Sequence, residues 1–381
     1  MSKVGIMSMQ RIANYGSFLQ AYALKQLIEN LGHSVEFVDY HVGPPVVKDE
    51  ADSGNKYIRK IKKGLEAFQY KVPLSHKVSF VLYKQSFGKK YFPLLGVTDA
   101  MNYNPQLDCL VIGSDEVFNC IQKNSNVGYS LELFGKDNHA KKLISYAASF
   151  GNTTLEKLDQ YGKKDEISDL LKSFDAISVR DANSQHIVEA LTGRKPAYHL
   201  DPVLVYDYMN CCNLIPELHF SEKYLILYAY AGRISDEEAD WISAYAKKKG
   251  LKIYAIGGIQ KCADRFINCS PFEVLAYFKN AEEVITDTFH GSIFSIITHR
   301  KFAALVRRSV GSSYGNEEKL TDLLIRVGLK NRRIYNMEQL SDMMDCPIEY
   351  ENVEHILSEE RMRSRTYLQQ LTQDFGLEEA K

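Results

Sequence analysis

The residues best equipped for chemistry crowd into one run, Thr286-Asp287-Thr288-Phe289-His290-Gly291. Histidine exchanges protons near neutral pH, and here a carboxylate and a hydroxyl stand close to it in the chain. The flanking residues say how the run is held. Val284 to Thr288 is a short apolar, β-branched stretch of strand length, while Ile293, Phe294, Ile296 and Ile297 repeat at helical spacing. Thr288 is of a type that caps helix N-termini. A strand feeding straight into a helix is predicted, with Gly291 easing the turn and His290 in the first helical turn. The unpaired N–H groups and positive dipole end there suit an anion. Open α/β sheets bind ligands at strand carboxyl ends, so Asp287, Thr288 and His290 are expected to face a crevice. The plainer alternative is a histidine that only packs or caps.

The chain around this run alternates strands and helices. Val4, Ile6 and Met7 open a strand; Phe18, Leu19, Ala21, Leu24, Leu27 and Ile28 repeat as a helix stopped by Gly32; Val35, Phe37 and Val38 open the next strand. The polar turn between them, Gln10 to Ser17, carries Asn14, Gly16 and Ser17 to the sheet's carboxyl end, where backbone N–H groups meet a ligand. It lacks a dinucleotide fingerprint. Strands at Leu107 to Ile112, Leu143 to Ala147 and Ala176 to Val179 deliver Ser114, Asp115, Glu116 and Arg180 at their ends. Another strand is expected around Tyr198 to Val205, containing Asp201-Pro202. A second alternation runs from Tyr224 to the focal run. Two Rossmann-like domains facing a cleft follow, at residues 1–206 and 223–350. Residues 207–222 read as a linker, and 351–381 as a C-terminal helix and tail packing back across the junction.

Residues 41–100 break the pattern. From Lys56 to Lys90 the basic side chains interleave with aromatic and aliphatic ones and meet a single acid, Glu66. The segment reads either as an insertion with solvated faces or as a basic amphipathic surface for anionic lipid or a phosphate-bearing substrate.

Composition narrows the class. A net charge of −1 removes any global pull towards nucleic acid, and 45% hydrophobic with 25% charged residues is ordinary for a soluble protein. The seven cysteines show neither CxxC pairs nor histidines at zinc spacing, so reduced thiols and no metal are expected. No apolar run reaches the ~20 residues of a membrane span. A cytoplasmic protein is expected, with peripheral contact at the inner membrane face through residues 56–90.

Taken together, NYGSFLQAYAL near the start, GSDEVFN from Gly113, SYAASFG from Ser145, ISVRD from Ile177, LDPVLV from Leu200 and TDTFHGSIFSI from Thr286 resemble the polysaccharide pyruvyl transferase family across most of the chain. Ser17, Phe118 and Thr288 stand where many relatives have Asp, Trp and Ser. The resemblance implies a GT-B-like fold and exopolysaccharide biosynthesis. It implies transfer of a pyruvyl group from phosphoenolpyruvate to two hydroxyls of one sugar, forming a ketal and releasing phosphate. Phosphoenolpyruvate is then a co-substrate, no cofactor is needed, and the acceptor is a sugar of a polysaccharide or of a lipid-linked glycan precursor.

Under that resemblance Arg180 offers the planar fork that grips a carboxylate or phosphate. Its alternative is a surface pair with Asp181. A helix N-terminus favours a neutral imidazole and a bound dianion reverses this, so His290 is expected to take up a proton as the donor binds. Asp115 and Asp287, with Glu116 behind them, are candidates to orient a sugar hydroxyl or take its proton. Asn14, Gly16, Ser17, Ser114, Thr288 and Gly291 are expected to contact substrate, the first domain serving the acceptor and the second the donor. Lys319 falls near a donor-contacting basic position of relatives, with Arg307 and Arg308 as alternatives. A nucleotide-sugar glycosyltransferase and a non-catalytic sugar- or phosphate-binding protein remain as competing functions.

Overall fold

Apolar strands separated by helices long enough to cross back over a sheet build parallel sheets, and each half of this chain does so. The computed structural model describes residues 1–47, 69–308 and 315–372. Of the basic segment 56–90, residues 56–68 lie outside the described residues.

The first sheet contains β1 (Lys3–Met7), β2 (Ser34–Phe37), β3 (Cys109–Ile112) and β4 (Lys142–Ser145), all parallel, in the order β2-β1-β3-β4. Single parallel bridges, Ile144 to Ala176 and Ala148 to Val179, attach β5 (Ser178–Val179) and β6 (Ala197–Tyr198) to its edge. Strand order reverses direction at β1 and β3, which opens a crevice beyond their carboxyl ends. Helix α1 (Tyr15–Glu29) starts earlier than its apolar repeat, because the Asn14 side chain accepts from the Gly16 and Ser17 N–H groups. Helix α2 (Leu74–Leu95) fills the described part of the insertion, and α3 (Ala182–Thr192) follows β5 with Asp181 as its cap. The strand expected to reach Val205 stops at Tyr198. Asp201 instead caps a single helical turn, α4 (Pro202–Val205), by accepting from Val203 N–H at 3.0 Å. Proline at the first helical position suits a turn and not a ladder.

The second sheet is six-stranded and parallel: β7 (Tyr224–Tyr228), β8 (Lys252–Ile256), β9 (Arg265–Phe266), β10 (Glu283–Thr286), β11 (Lys301–Leu305) and β12 (Arg333–Ile334), in the order β12-β11-β10-β7-β8-β9. Its direction reverses between β7 and β10, the arrangement of a dinucleotide-type Rossmann sheet. Helices α5 (Asp236–Lys249) and α6 (Pro271–Asn280) each open with a capping box, from Ser235 and from Ser270. Helix α7 (Phe289–Ile297) follows β10, and α8 (Glu317–Arg326) carries Lys319. The protein is thus α/β, with two Rossmann-like domains facing a cleft in the GT-B-like manner.

The domains share one apolar core. Phe18 of α1 sets its edge against Phe87 of α2, with centroids 6.4 Å apart, and against Phe272 of α6, 5.8 Å apart. Tyr22 meets Phe272 at 5.0 Å. The last helix, α9 (Tyr350–Thr372), ties both halves: Tyr350 donates to Arg300 O at 2.6 Å, and Tyr367 donates to Ser145 O at 2.9 Å. From α8, Asp322 accepts from Tyr198 at 2.6 Å and Arg326 donates to Arg180 O at 2.9 Å. Among the described residues no helix is long and apolar enough to cross a membrane.

Phe18 is fully buried between the halves. Phe18→Ala is expected to remove about 3–5 kcal/mol of unfolding free energy in urea titrations. A loss under about 1 kcal/mol would show that these rings do not form a shared core.

Candidate active site

The two points of strand reversal confront each other, and the residues beyond them form one small cavity. From the first domain come Asn14 and Ser17 at the start of α1, Asp115 and Glu116 after β3, and Arg180 after β5. From the second come Tyr230 after β7, Thr288, Phe289 and His290 after β10, and Lys319 of α8. They enclose ≈ 70 Å³, room for a few waters or a small polar ligand.

Charge pairing fixes the wall. The Arg180 guanidinium, with 4% of its side chain exposed, donates to Asp201 Oδ2 at 2.7 Å and to Asp115 Oδ1 at 3.2 Å. Phe289 lies beneath it at 4.6 Å. Burial works against this cation, but Asp115, Asp201, Glu116 and Asp181 outweigh it and raise its pKa. Asp115 Oδ2 accepts from the Ser17 hydroxyl at 2.8 Å, so both oxygens of that carboxylate are held in place. Lys319 pairs with Glu116 across the cleft at 2.9 Å. That ammonium, against the opposing effect of burial, holds Glu116 down at about 2, helped by Arg180 and Asn119.

Asp201 is the residue that sequence reasoning missed. It is fully buried, and its Oδ2 stands 2.7 Å from Arg180 and 3.6 Å from His290 Nε2. The second distance is longer than a hydrogen bond, and Nε2 is buried without another partner. Burial alone would lift the Asp201 pKa, yet His290, Arg180 and the Val203 N–H together depress it. The Asp-Pro pair was the available signal, since that pair reads as a cap followed by a first-turn proline.

His290 lies in the first turn of α7, behind a Thr288 cap that accepts from Gly291 N–H at 2.9 Å. Its imidazole rests on Gly16 of the other domain. A Cβ at position 16 would come within 2.2 Å of Nδ1 and 2.8 Å of the histidine Cβ, so only glycine admits this ring position. At the cavity mouth Asn14 donates to the Tyr230 hydroxyl at 2.7 Å.

Not every predicted residue reaches the cavity. Asp287 is fully buried and turns away from it. Arg307 donates to it at 3.2 Å and grips Glu238 with two more bonds, while burial raises the Asp287 pKa. Ser114 is buried with its hydroxyl donating to Ala147 O at 2.9 Å. Gly291 makes no turn. It sits inside α7, where a Cβ would strike the Thr286 hydroxyl at 2.2 Å, so its role is close packing. Of the three basic candidates Lys319 lines the cavity, Arg307 serves Asp287 and Glu238, and Arg308 is exposed near Glu317.

Two facing Rossmann-like domains with a charged cleft between them define the class, an α/β fold of GT-B-like architecture. Solved structures align with it at low identity. The UDP-GlcNAc 2-epimerase of Methanocaldococcus jannaschii, in complex with UDP-GlcNAc and UDP, is 11% identical, with 96% of this chain and 100% of that one covered and a TM-score of 0.47. S. aureus MnaA with UDP is 9% identical over 97% and 96% of the chains, at 0.49. The UDP-GlcNAc 2-epimerase of Neisseria meningitidis is 8% identical over 95% and 100%, at 0.44. No curated protein matches by sequence. The family profile described as Polysaccharide pyruvyl transferase matches residues 14–309, and the chain belongs to that family of pyruvyl-transferring enzymes.

The depressed Glu116 pKa makes the cleft-spanning ion pair sensitive to acid. A carboxylate held below its unfolded value contributes stability above that value and loses it as pH falls through the folded one. At neutral pH Glu116→Gln is expected to melt about 2–4 °C lower than the unsubstituted protein. The gap should close as pH is lowered from about 4.5 towards about 2. Parallel melting curves that keep a constant offset across that window would deny the pair this role.

Proposed function

We propose that the cavity receives phosphoenolpyruvate and that a sugar diol approaches from the side of Asn14, Ser17 and Asp115. The supporting observation is that Arg180 and His290, from different domains, meet on the one buried carboxylate of Asp201 beside a small polar cavity. Arg180 then grips the donor carboxylate or phosphate. Lys319, on the opposite rim, supplies a second cation.

The charge balance shapes the binding step. Asp115, Glu116 and Asp201 face Arg180 and Lys319, so three carboxylates oppose two permanent cations. A donor carrying several negative charges therefore enters with a proton taken up on His290 and with Lys319 turning from Glu116 to phosphate. With Nε2 directed at Asp201, Nδ1 is the nitrogen that exchanges a proton with the substrate.

The reaction balances as follows. The enol carbon of the donor takes a proton from His290, leaving a cationic centre at the carbon bearing phosphate. One sugar hydroxyl adds there, and its proton passes to Asp115, already oriented by Ser17 and Arg180. The carbon–oxygen bond to phosphate breaks, phosphate leaves as its protonated form, and the second hydroxyl closes the ketal. Asp115 hands its proton to the departing phosphate, and the proton of the second hydroxyl restores the imidazolium of His290, so that both side chains end as they began. Asp201 touches no reacting atom in this scheme and acts as a positioning residue. The acceptor is a sugar of a polysaccharide precursor carried on lipid.

Phosphoenolpyruvate at about 100 times its Kd is expected to stabilise the protein by about 2.7 kcal/mol, while UDP-sugars leave melting unchanged. The reverse pattern would sink the donor assignment. His290→Ala should abolish phosphate release from an acceptor panel with the fold intact. Asp201→Asn should lower kcat by about 10²–10⁴-fold and change KM for phosphoenolpyruvate far less. An equal loss in both constants, or near-normal turnover in either variant, would contradict the assigned roles.

A further inference from the structure

Helix α2 does not dress its outer face as a surface helix normally does. Leu74, Val78 and Leu82 are 65%, 47% and 54% exposed and lie four residues apart. That spacing sets them within about 80° of one side of the helix. An ordinary surface helix turns polar residues outward. Lys71, Lys84, Lys89 and Lys90 are exposed around the ridge and Lys77 is half-buried beside it. From Lys71 to Thr98 the sequence contains no Asp or Glu, although the whole chain has a net charge of only −1. The outer helices α5 and α9 show the contrast, since each mixes acidic with basic residues.

The inner face of α2 is firmly seated. Tyr83 and Phe87 pack on Tyr15 of α1, and Phe80 packs on Phe266 of the second sheet. The helix also borders the cleft. Lys84 Nζ stands 3.5 Å from the carbonyl oxygen of Ala13, the residue before Asn14. Tyr70, just ahead of the helix, lies against Gly232, two residues beyond Tyr230.

We infer that the outward face of α2 docks on an anionic bilayer, the aliphatic ridge entering the interface and the lysines meeting lipid phosphates, so that the cleft opens beside lipid-borne acceptors. An aliphatic ridge framed by one sign of charge fits that occupant. An acidic protein surface would match the lysines but not three adjacent aliphatic side chains. Only the link to acceptors rests on the pyruvyl-transfer reading; the docking itself does not.

The test is flotation of the full chain with phosphatidylcholine vesicles, with and without about a third phosphatidylserine. Binding is expected to be at least about tenfold stronger on the anionic vesicles and to fall as salt rises from about 0.05 to about 0.5 M. Val78→Glu with Leu82→Glu should reduce it by about tenfold or more, with melting and phosphate release on a water-soluble acceptor unchanged. Lys89→Glu with Lys90→Glu should weaken it as well. Equal binding to neutral vesicles, or binding by the ridge variant that matches the unsubstituted protein, overturns the inference. So does a concentration-dependent dimer, dissolved by the ridge substitutions, in a protein that binds no vesicle; the face then belongs to a second copy. Vesicle binding without phosphate release from any acceptor leaves the docking surface standing and removes the reaction.

Discussion

A charged group taken out of water must find an opposite charge, and in this protein the demand falls on Asp201. Its carboxylate is fully buried and answers to a guanidinium from its own domain and an imidazole from the other. Neither ion of the Arg180–Asp201 pair survives comfortably without its mate. Satisfying them draws together the end of β5, the turn before α4 and the start of α7, so the electrostatic requirement sets the geometry of the cavity. Asp115, held by Ser17 and Arg180, extends the same network to the rim.

The fold supplies the opportunity for that network. Each parallel sheet opens a crevice where its strand order reverses, and here the two crevices face each other. The closeness of the approach depends on a residue with no side chain. Gly16 at the start of α1 lets the histidine ring lie directly on the backbone of the other domain. A glycine and a histidine, each beside the cap of its own helix and distant from one another in sequence, thus behave as one contact.

Much of this was legible in the residues. The strand–cap–helix pattern from Val284 to Ile297 positions His290 because local signals and burial agree there. The alternation from Tyr224 to the focal run likewise appears as the second sheet, with α5 and α6 between its strands. Asp201 escaped because Val203, Leu204 and Val205 look like a strand, and only the Asp-Pro pair betrays the turn. The rule that strand ends face crevices points to Asp287 as a site residue. Its side chain instead answers Arg307, a partner that no local pattern reveals. Gly291 looked like a turn glycine because spacing cannot distinguish freedom to bend from freedom to pack. The outward ridge of α2 was blurred in sequence, since its buried aromatics and exposed aliphatics alternate with the same lysines.

The shared core between Phe18, Phe87 and Phe272 limits how this enzyme can breathe. Two lobes joined by interlocked rings and by a helix stitched to each cannot swing wide in every cycle without exposing that apolar seam to solvent. Traffic through the cleft is therefore left to its polar rim, where the Lys319–Glu116 and Asn14–Tyr230 contacts can part and rejoin. Such an aperture admits the edge of a long glycan while its bulk stays outside, a shape suited to decorating a chain that is never swallowed.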